Sequence, residues 1–118
     1  MKIVIDAMGG DNAPDEIIAG ALQAVADFEN VEVILVGIED RIKKQLSRFR
    51  YPEDKLSVIH APEVVTMHDS AVTALRKKRE SSISIGVNLL KDPQYNAFIS
   101  AGNTGAVVAA STDRKSVV

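Results

Sequence analysis

The sequence predicts an α/β domain of three αβα layers around a mostly parallel sheet, with the final helix cut short. Short β-branched runs alternate along the chain with segments whose apolar residues recur at helical spacing, the pattern of βαβ units. Each of two glycine-rich segments also follows directly on one of those runs, where a parallel sheet passes into a helix and takes its ligands. Length and composition agree. The chain has 118 residues, 46% hydrophobic and 25% charged, the proportions of one globular domain rather than of a disordered or fibrous chain.

Lys2–Asp6 is a buried strand ending in an acidic residue. Met8-Gly9-Gly10-Asp11-Asn12 is a turn whose glycines are free to take positive φ. Asn12 is the expected cap of a helix over 13–28. Pro14 stands in its first turn, Asp15 and Glu16 complement its dipole, and Ile18, Leu22 and Val25 share one face. Val31–Gly37 is the second strand. Glu39–Phe49 is a more polar helix, stopped by Tyr51-Pro52 because the residue before proline avoids αR. Leu56–Ala61 is the third strand, followed by irregular chain over Glu63–Met67. Ser70 caps a helix that begins at Ala71 and runs into Arg76-Lys77-Lys78-Arg79. Ser81–Lys91 carries Ile83, Val87 and Leu90 at i, i+4 and i+7, so a further helix or a continuation follows. Ala97–Ser100 is the fourth strand, and Gly102–Gly105 turns into a helix over Ala106–Ser111. The chain becomes polar at Asp113-Arg114-Lys115 before that helix is complete. Residues 1–112 are therefore read as the N-terminal part of a longer domain, and 113–118 as a divergent tail.

Several function classes are excluded. Without cysteine there is no disulfide, no Cys-ligated metal and no cysteine nucleophile, which fits a reducing cytosol. A net charge of −2 gives no nucleic-acid signature. No apolar run reaches the ~18 residues of a membrane span, and no signal peptide is expected ahead of the first strand. The two widely spaced histidines, without an H-E-x-x-H pattern, give no metal site.

In open parallel sheets, ligands bind outside the carboxyl ends of the strands, where helix N-termini converge. The first segment placed there is Asp6-Ala7-Met8-Gly9-Gly10-Asp11-Asn12. Gly9 and Gly10 let backbone N–H groups approach a ligand, and Asp6 and Asp11 can orient a donor or a water. The segment is neither G-x-G-x-x-G nor a P-loop, and the same residues also describe an ordinary capped turn. The second segment is Ser100-Ala101-Gly102-Asn103-Thr104-Gly105. Ser100, Asn103 and Thr104 supply small donors and caps, Gly102 and Gly105 permit close approach, and the next helix offers an anion its N–H groups. A capped helix start is the plainer alternative. In the basic run 76–79, at most two side chains share a helical face. Either it is a solvated helix end, or Arg76 or Lys78 meets a phosphate or an acidic partner, with Ser81 and Ser82 as further donors. His60 ends a strand and could reach the same crevice, although a lone His is more often structural; His68 beside Asp69 is weaker. The residues thus describe an α/β domain holding a phosphate-like anion, with the reaction open.

Four segments, in order, resemble the bacterial phosphate acyltransferase (PlsX) family of phospholipid synthesis. They are Ile-Asp-Ala-Met-Gly-Gly-Asp-Asn-Ala-Pro over 5–14, His60-Ala61 with Glu63-Val64-Val65, Ala74-Leu75-Arg76-Lys77-Lys78 with Ser81-Ser82, and Ser100–Ala106. The resemblance spans residues 1 to about 112, and the sequence departs from the family at Asp113. It implies a fold similar to the isocitrate/isopropylmalate dehydrogenase and phosphotransacetylase folds. It also implies transfer of a long-chain acyl group from acyl carrier protein to inorganic phosphate, with no cofactor. The acyl phosphate formed would serve a glycerol-3-phosphate acyltransferase downstream. A cytoplasmic homodimer, loosely attached to the membrane, is implied as well.

On this resemblance Gly9, Gly10 and the 102–105 loop cradle phosphate or the thioester oxygen, and Asn103 and Thr104 donate to it. Arg76 or Lys78 balances its charge, while Asp6 and Asp11 orient phosphate protons or loop donors. The basic run also suits the acidic surface of the carrier protein. The family's dimer contacts and membrane-binding part are expected largely beyond these residues, so the 118-residue chain alone is expected to be inactive and marginally stable. Two other classes fit the residues: a non-catalytic anion- or nucleotide-binding module, and an inactive truncated remnant.

Overall fold

Val33, Ile34, Leu35 and Val36 are all buried, because a strand inside a parallel sheet is covered on both faces. The computed structural model describes residues 1–113. Its elements are β1 (Lys2–Asp6), α1 (Asp15–Asp27), β2 (Glu32–Gly37), α2 (Glu39–Leu46), β3 (Leu56–His60), α3 (Ala71–Lys77), α4 (Ser82–Leu89), β4 (Ala97–Ile99) and α5 (Thr104–Asp113), with a 3-10 turn at Glu53–Lys55. The strands form one sheet in the order β3-β2-β1-β4. Every neighbouring pair is parallel, so the expected mostly parallel sheet is wholly parallel over the described residues.

Alternation along β2 divides the core in two. Val33 and Leu35 face α1 and α2, packing with Ala7, Ile18, Ala21, Val25, Ile42, Leu46 and Leu56. Ile34 and Val36 face the opposite layer, with Val4, Ala61, Leu89 and Phe98. There α3, α4 and α5 are joined through Ala74, Ile83, Val87, Ala106 and Ala110. The predicted αβα layering is present.

Chain order fixes where a ligand can enter. From β1 the chain builds outward through β2 to β3, then returns across the sheet to lay β4 on the other side of β1. The strand order therefore reverses between β1 and β4, the point where parallel α/β sheets place a crevice outside the carboxyl ends of their strands.

The element boundaries correct several expectations. Asn12 does not cap α1 with its side chain: the helix begins at Asp15, and Pro14 holds the cap position without a side-chain hydrogen bond. A residue before proline is pushed out of αR, so Ala13 cannot be helical. Asn12 contributes only its carbonyl, which accepts from the Glu16 N–H at 3.1 Å. Helix α2 stops at Leu46 instead of Phe49, its end tightened by Arg48 N–H to Gln45 and Phe49 N–H to Leu46. Segment 63–67 is irregular apart from one parallel bridge between Glu63 and Ser81. Of the tail read as divergent, Asp113 closes α5 and 114–118 lie outside the described residues. No helix among the described residues is long and apolar enough to cross a membrane.

Leu35 is fully buried between the sheet and the α1–α2 layer. Leu35→Ala should therefore lower unfolding stability by about 2–5 kcal/mol, read as a shifted denaturant midpoint with an unchanged slope.

Candidate active site

The last residue of β1 and the first beyond β4 meet at the reversal point. Asp6 is 1% exposed, and its carboxylate is used on both oxygens. Oδ1 accepts the Met8 backbone N–H at 2.9 Å, and Oδ2 accepts the Ser100 hydroxyl at 2.7 Å. Ser100 Oγ in turn accepts the Gly102 N–H at 3.0 Å. One buried carboxylate thus fixes the start of both glycine-rich loops.

That fixation brings backbone against backbone. A Cβ on Gly9 would lie 2.7 Å from both Asp6 Oδ2 and the Gly102 nitrogen, closer than any side chain tolerates. Gly10 has φ +94°, a conformation that L side chains rarely adopt. Asp11 is exposed.

The second loop is anchored from below. Asn103 is 9% exposed, and both of its amide hydrogens are used. Nδ2 donates to the carbonyls of Thr66 (3.0 Å) and Asp69 (2.7 Å), while Oδ1 accepts the Ala106 N–H at 3.0 Å and caps α5. With both amide hydrogens committed, Asn103 ties α5 to the 66–69 turn and does not donate to a ligand in this conformation. Its cap also starts α5 at Thr104 instead of Ala106. Thr104 and Gly105 are exposed at the first positions of α5, where backbone N–H groups have no intrahelical acceptor.

The 66–69 turn carries an ion pair that links it to the end of α3. Lys78 Nζ lies 2.6 Å from Asp69 Oδ2 and also donates to the Val64 carbonyl at 2.8 Å. The same Asp69 oxygen accepts the Thr66 N–H at 2.8 Å. The Lys78 ammonium beside it holds the Asp69 carboxyl below its ordinary value of 3.8, with the Thr66 N–H as the next cause.

Other predicted residues fall differently. Ser81 is fully buried as the cap of α4, its Oγ accepting the Ser84 N–H at 3.1 Å, and Ser82 is 2% exposed. Neither can serve as a ligand donor, because the helix start they form is packed inside the molecule. Arg76 is exposed on α3, which packs against α5. His60 does not reach the crevice. It ends β3, two strands and roughly 10 Å from β1, and its Nδ1 accepts the Glu39 N–H at 3.1 Å. His68 is exposed beside Asp69. No group of three or more His, Cys, Asp or Glu among the described residues is placed to hold a metal.

Sequence reading missed Asp69. Its only signals were a place directly before the Ser70 cap and a lysine nine positions on, neither of which declares a contact. The Asp6–Ser100 bond joins residues 94 apart in sequence and had no local signal at all.

A fully parallel αβα sheet, with two glycine-rich loops locked together where its strand order reverses, is the arrangement in which α/β domains place their ligand sites, beside a free helix N-terminus. Over residues 1–117 the chain matches the family described as fatty acid synthesis protein, and it belongs to that family. It is 51% identical over 109 residues to the phosphate acyltransferase of Halothermothrix orenii, a match covering 92% of this chain and 33% of that protein. It is 46% identical over 111 residues to the phosphate acyltransferase of Dictyoglomus turgidum, covering 94% and 33%. A third, from Clostridium botulinum, is 44% identical over 112 residues, covering 95% and 34%. The chain thus spans about a third of the length of the curated relatives it matches. The resemblance drawn from the four motifs is borne out.

Removing either element of the loop lock should cost stability. Ser100→Ala leaves Asp6 Oδ2 and the Gly102 N–H without their shared partner, an expected loss of about 1–3 kcal/mol in denaturant titration. Gly9→Ala should cost a similar ~1–3 kcal/mol, by forcing the loops apart.

Acid should act at Asp69. A carboxyl with a depressed folded pKa contributes fully above its ordinary value and loses that contribution as pH falls through the folded one. Wild type should therefore exceed Asp69→Asn in melting temperature at neutral pH. The gap should close below the ordinary 3.8.

Proposed function

We propose that this chain forms the phosphate- and thioester-facing part of an acyltransferase that moves a long-chain acyl group from acyl carrier protein to inorganic phosphate. The observation that supports it most is the contact of Gly9 with Gly102 beneath the Asp6–Ser100 bond, in a chain whose relatives are named phosphate acyltransferases. A phosphate oxygen attacks the thioester carbonyl, the C–S bond breaks, and the carrier's thiol leaves with a proton. The products are acyl phosphate and free carrier. Phosphate is its own nucleophile, so the absence of cysteine costs the reaction nothing. The protein's task is to hold two anionic reactants in register and to stabilise the oxyanion.

Within that reading the residues divide into contact and support. Thr104 and the N–H groups at the start of α5 donate to the oxyanion or to phosphate, with Gly9, Gly10, Gly102 and Gly105 allowing the approach. Asp11, exposed on the first loop, orients a phosphate proton, and Arg76 balances charge. Asp6 and Ser100 act through the loops they fix. Asn103 and Lys78 hold the second loop on its 66–69 support. The acyl phosphate is a reactive mixed anhydride for a glycerol-3-phosphate acyltransferase. The whole enzyme is proposed to work as a cytoplasmic homodimer loosely attached to the membrane.

The test is made on a protein of the relatives' full length that carries this sequence. Incubated with palmitoyl-carrier protein and inorganic phosphate, it should release free carrier thiol and form acyl phosphate, trapped as hydroxamate. Thiol release that does not depend on phosphate would overturn the proposal. Replacing Asn103 and Thr104 together by Ala should reduce kcat/KM by about a hundredfold. The 118-residue chain alone should show no transfer. Phosphate binding by that chain, with no transfer by the longer protein, would instead favour an anion-binding module.

A further inference from the structure

Of the cations singled out in the sequence, Arg76, Lys77 and Arg79 are exposed around the end of α3, and only Lys78 is paired among the described residues, with Asp69. Another set is gathered. Arg41, Lys44 and Arg48 fall at i, i+3 and i+7, on one face of α2 and the turn that closes it. All three are exposed, and none is in a salt bridge among the described residues; the ion pair on this helix uses Lys43 and Glu39. With Gln45 they line an open recess of about 250 Å³ whose opposite wall is Pro14 and Asp15, at the start of α1.

The recess holds three cations against one carboxylate, so its lining is net positive. Its Pro14 wall is joined to the candidate site by a short stretch of chain. Pro14 closes the loop that carries Gly9 and Gly10, and four residues of chain from Gly10 reach at most about 14 Å. The cations extend over seven residues, roughly 10 Å of helix. That spread exceeds what one phosphate can bridge, and it matches a row of carboxylates on a protein surface.

We propose that this basic face of α2 is the docking surface for the acidic acyl-carrying protein, which it holds beside the glycine-rich loops. The inference rests on the proposed acyl transfer and adds where the carrier binds. Its contribution is electrostatic and peripheral, so it governs encounter and ground-state binding while the chemistry stays in the crevice.

The experiment uses the full-length protein with Arg41→Glu, Lys44→Glu and Arg48→Glu combined, and a milder variant with Gln at the same positions. Circular dichroism melts confirm that each is folded. KM for acyl-carrier protein should rise at least about tenfold in the Glu variant and less in the Gln variant. KM for inorganic phosphate and kcat should remain unchanged, because only uniform binding is lost. Added salt should weaken wild type far more than the Glu variant. A variant with Lys77→Glu and Arg79→Glu should leave KM for the carrier at the wild-type value. Unchanged KM for the carrier in the Glu variant overturns the proposal, as does a rise confined to phosphate or to the 77/79 variant. Should wild type make no acyl phosphate, the proposed reaction falls separately. Carrier protein titrated directly onto both forms then decides: binding by wild type alone supports the docking face, and equal or absent binding removes it.

Discussion

The Asp6–Ser100 hydrogen bond is the constraint on which the rest of the crevice depends. Strands β1 and β4 bring the two residues side by side, and the 2.7 Å bond converts that adjacency into a fixed spacing between two loops. A buried carboxylate is costly unless its oxygens are satisfied, so Asp6 demands the Ser100 hydroxyl and the Met8 N–H as much as it orders them. Glycine at position 9 follows, since the spacing leaves no volume there for a methyl group. A carboxylate at the end of a strand thereby shapes a surface that it does not itself reach.

Support for the second loop comes from the opposite direction. Asn103 links α5 to the 66–69 turn, and Lys78 links that turn to the end of α3 through Asp69. The 66–69 turn, the far end of α3 and the start of α5 are joined by side chains whose hydrogen-bonding capacity is largely used. An amide with both hydrogens committed is a poor ligand donor and a good strut. The exposed groups at the start of α5 can then face a ligand without collapsing onto their own neighbours.

Much of the fold was legible in the sequence because its signals are local. The strand patterns predicted the four strands of the described residues, and Ser70 sits where a helix cap was expected. Asn12 failed as a cap because Pro14 competes for the same turn, a backbone restriction that overrides side-chain preference. The site was legible as two loops and not as a network. Which of Asn103's groups are spent, or that His60 serves Glu39 at the far edge of the sheet, depends on strand order, which periodicity does not encode. Ser81 illustrates the same gap: expected as a ligand donor, it is buried as the cap of α4, and spacing alone does not declare burial.

The span of 94 residues between Asp6 and Ser100 has a consequence for how the protein is made. Closing so long a loop carries a large entropic penalty, and nothing repays it until β1, β2 and the returning crossover have packed. During synthesis, the first strand and its glycine-rich loop must wait for nearly the whole described chain before their partner emerges. Until then Asp6 has no Ser100, and Gly9 has no neighbour to fit. The Asp6–Ser100 lock therefore cannot form before β4 and Ser100 have been made, and a chain that stalls short of β4 carries every residue of its first loop without the contact that shapes it.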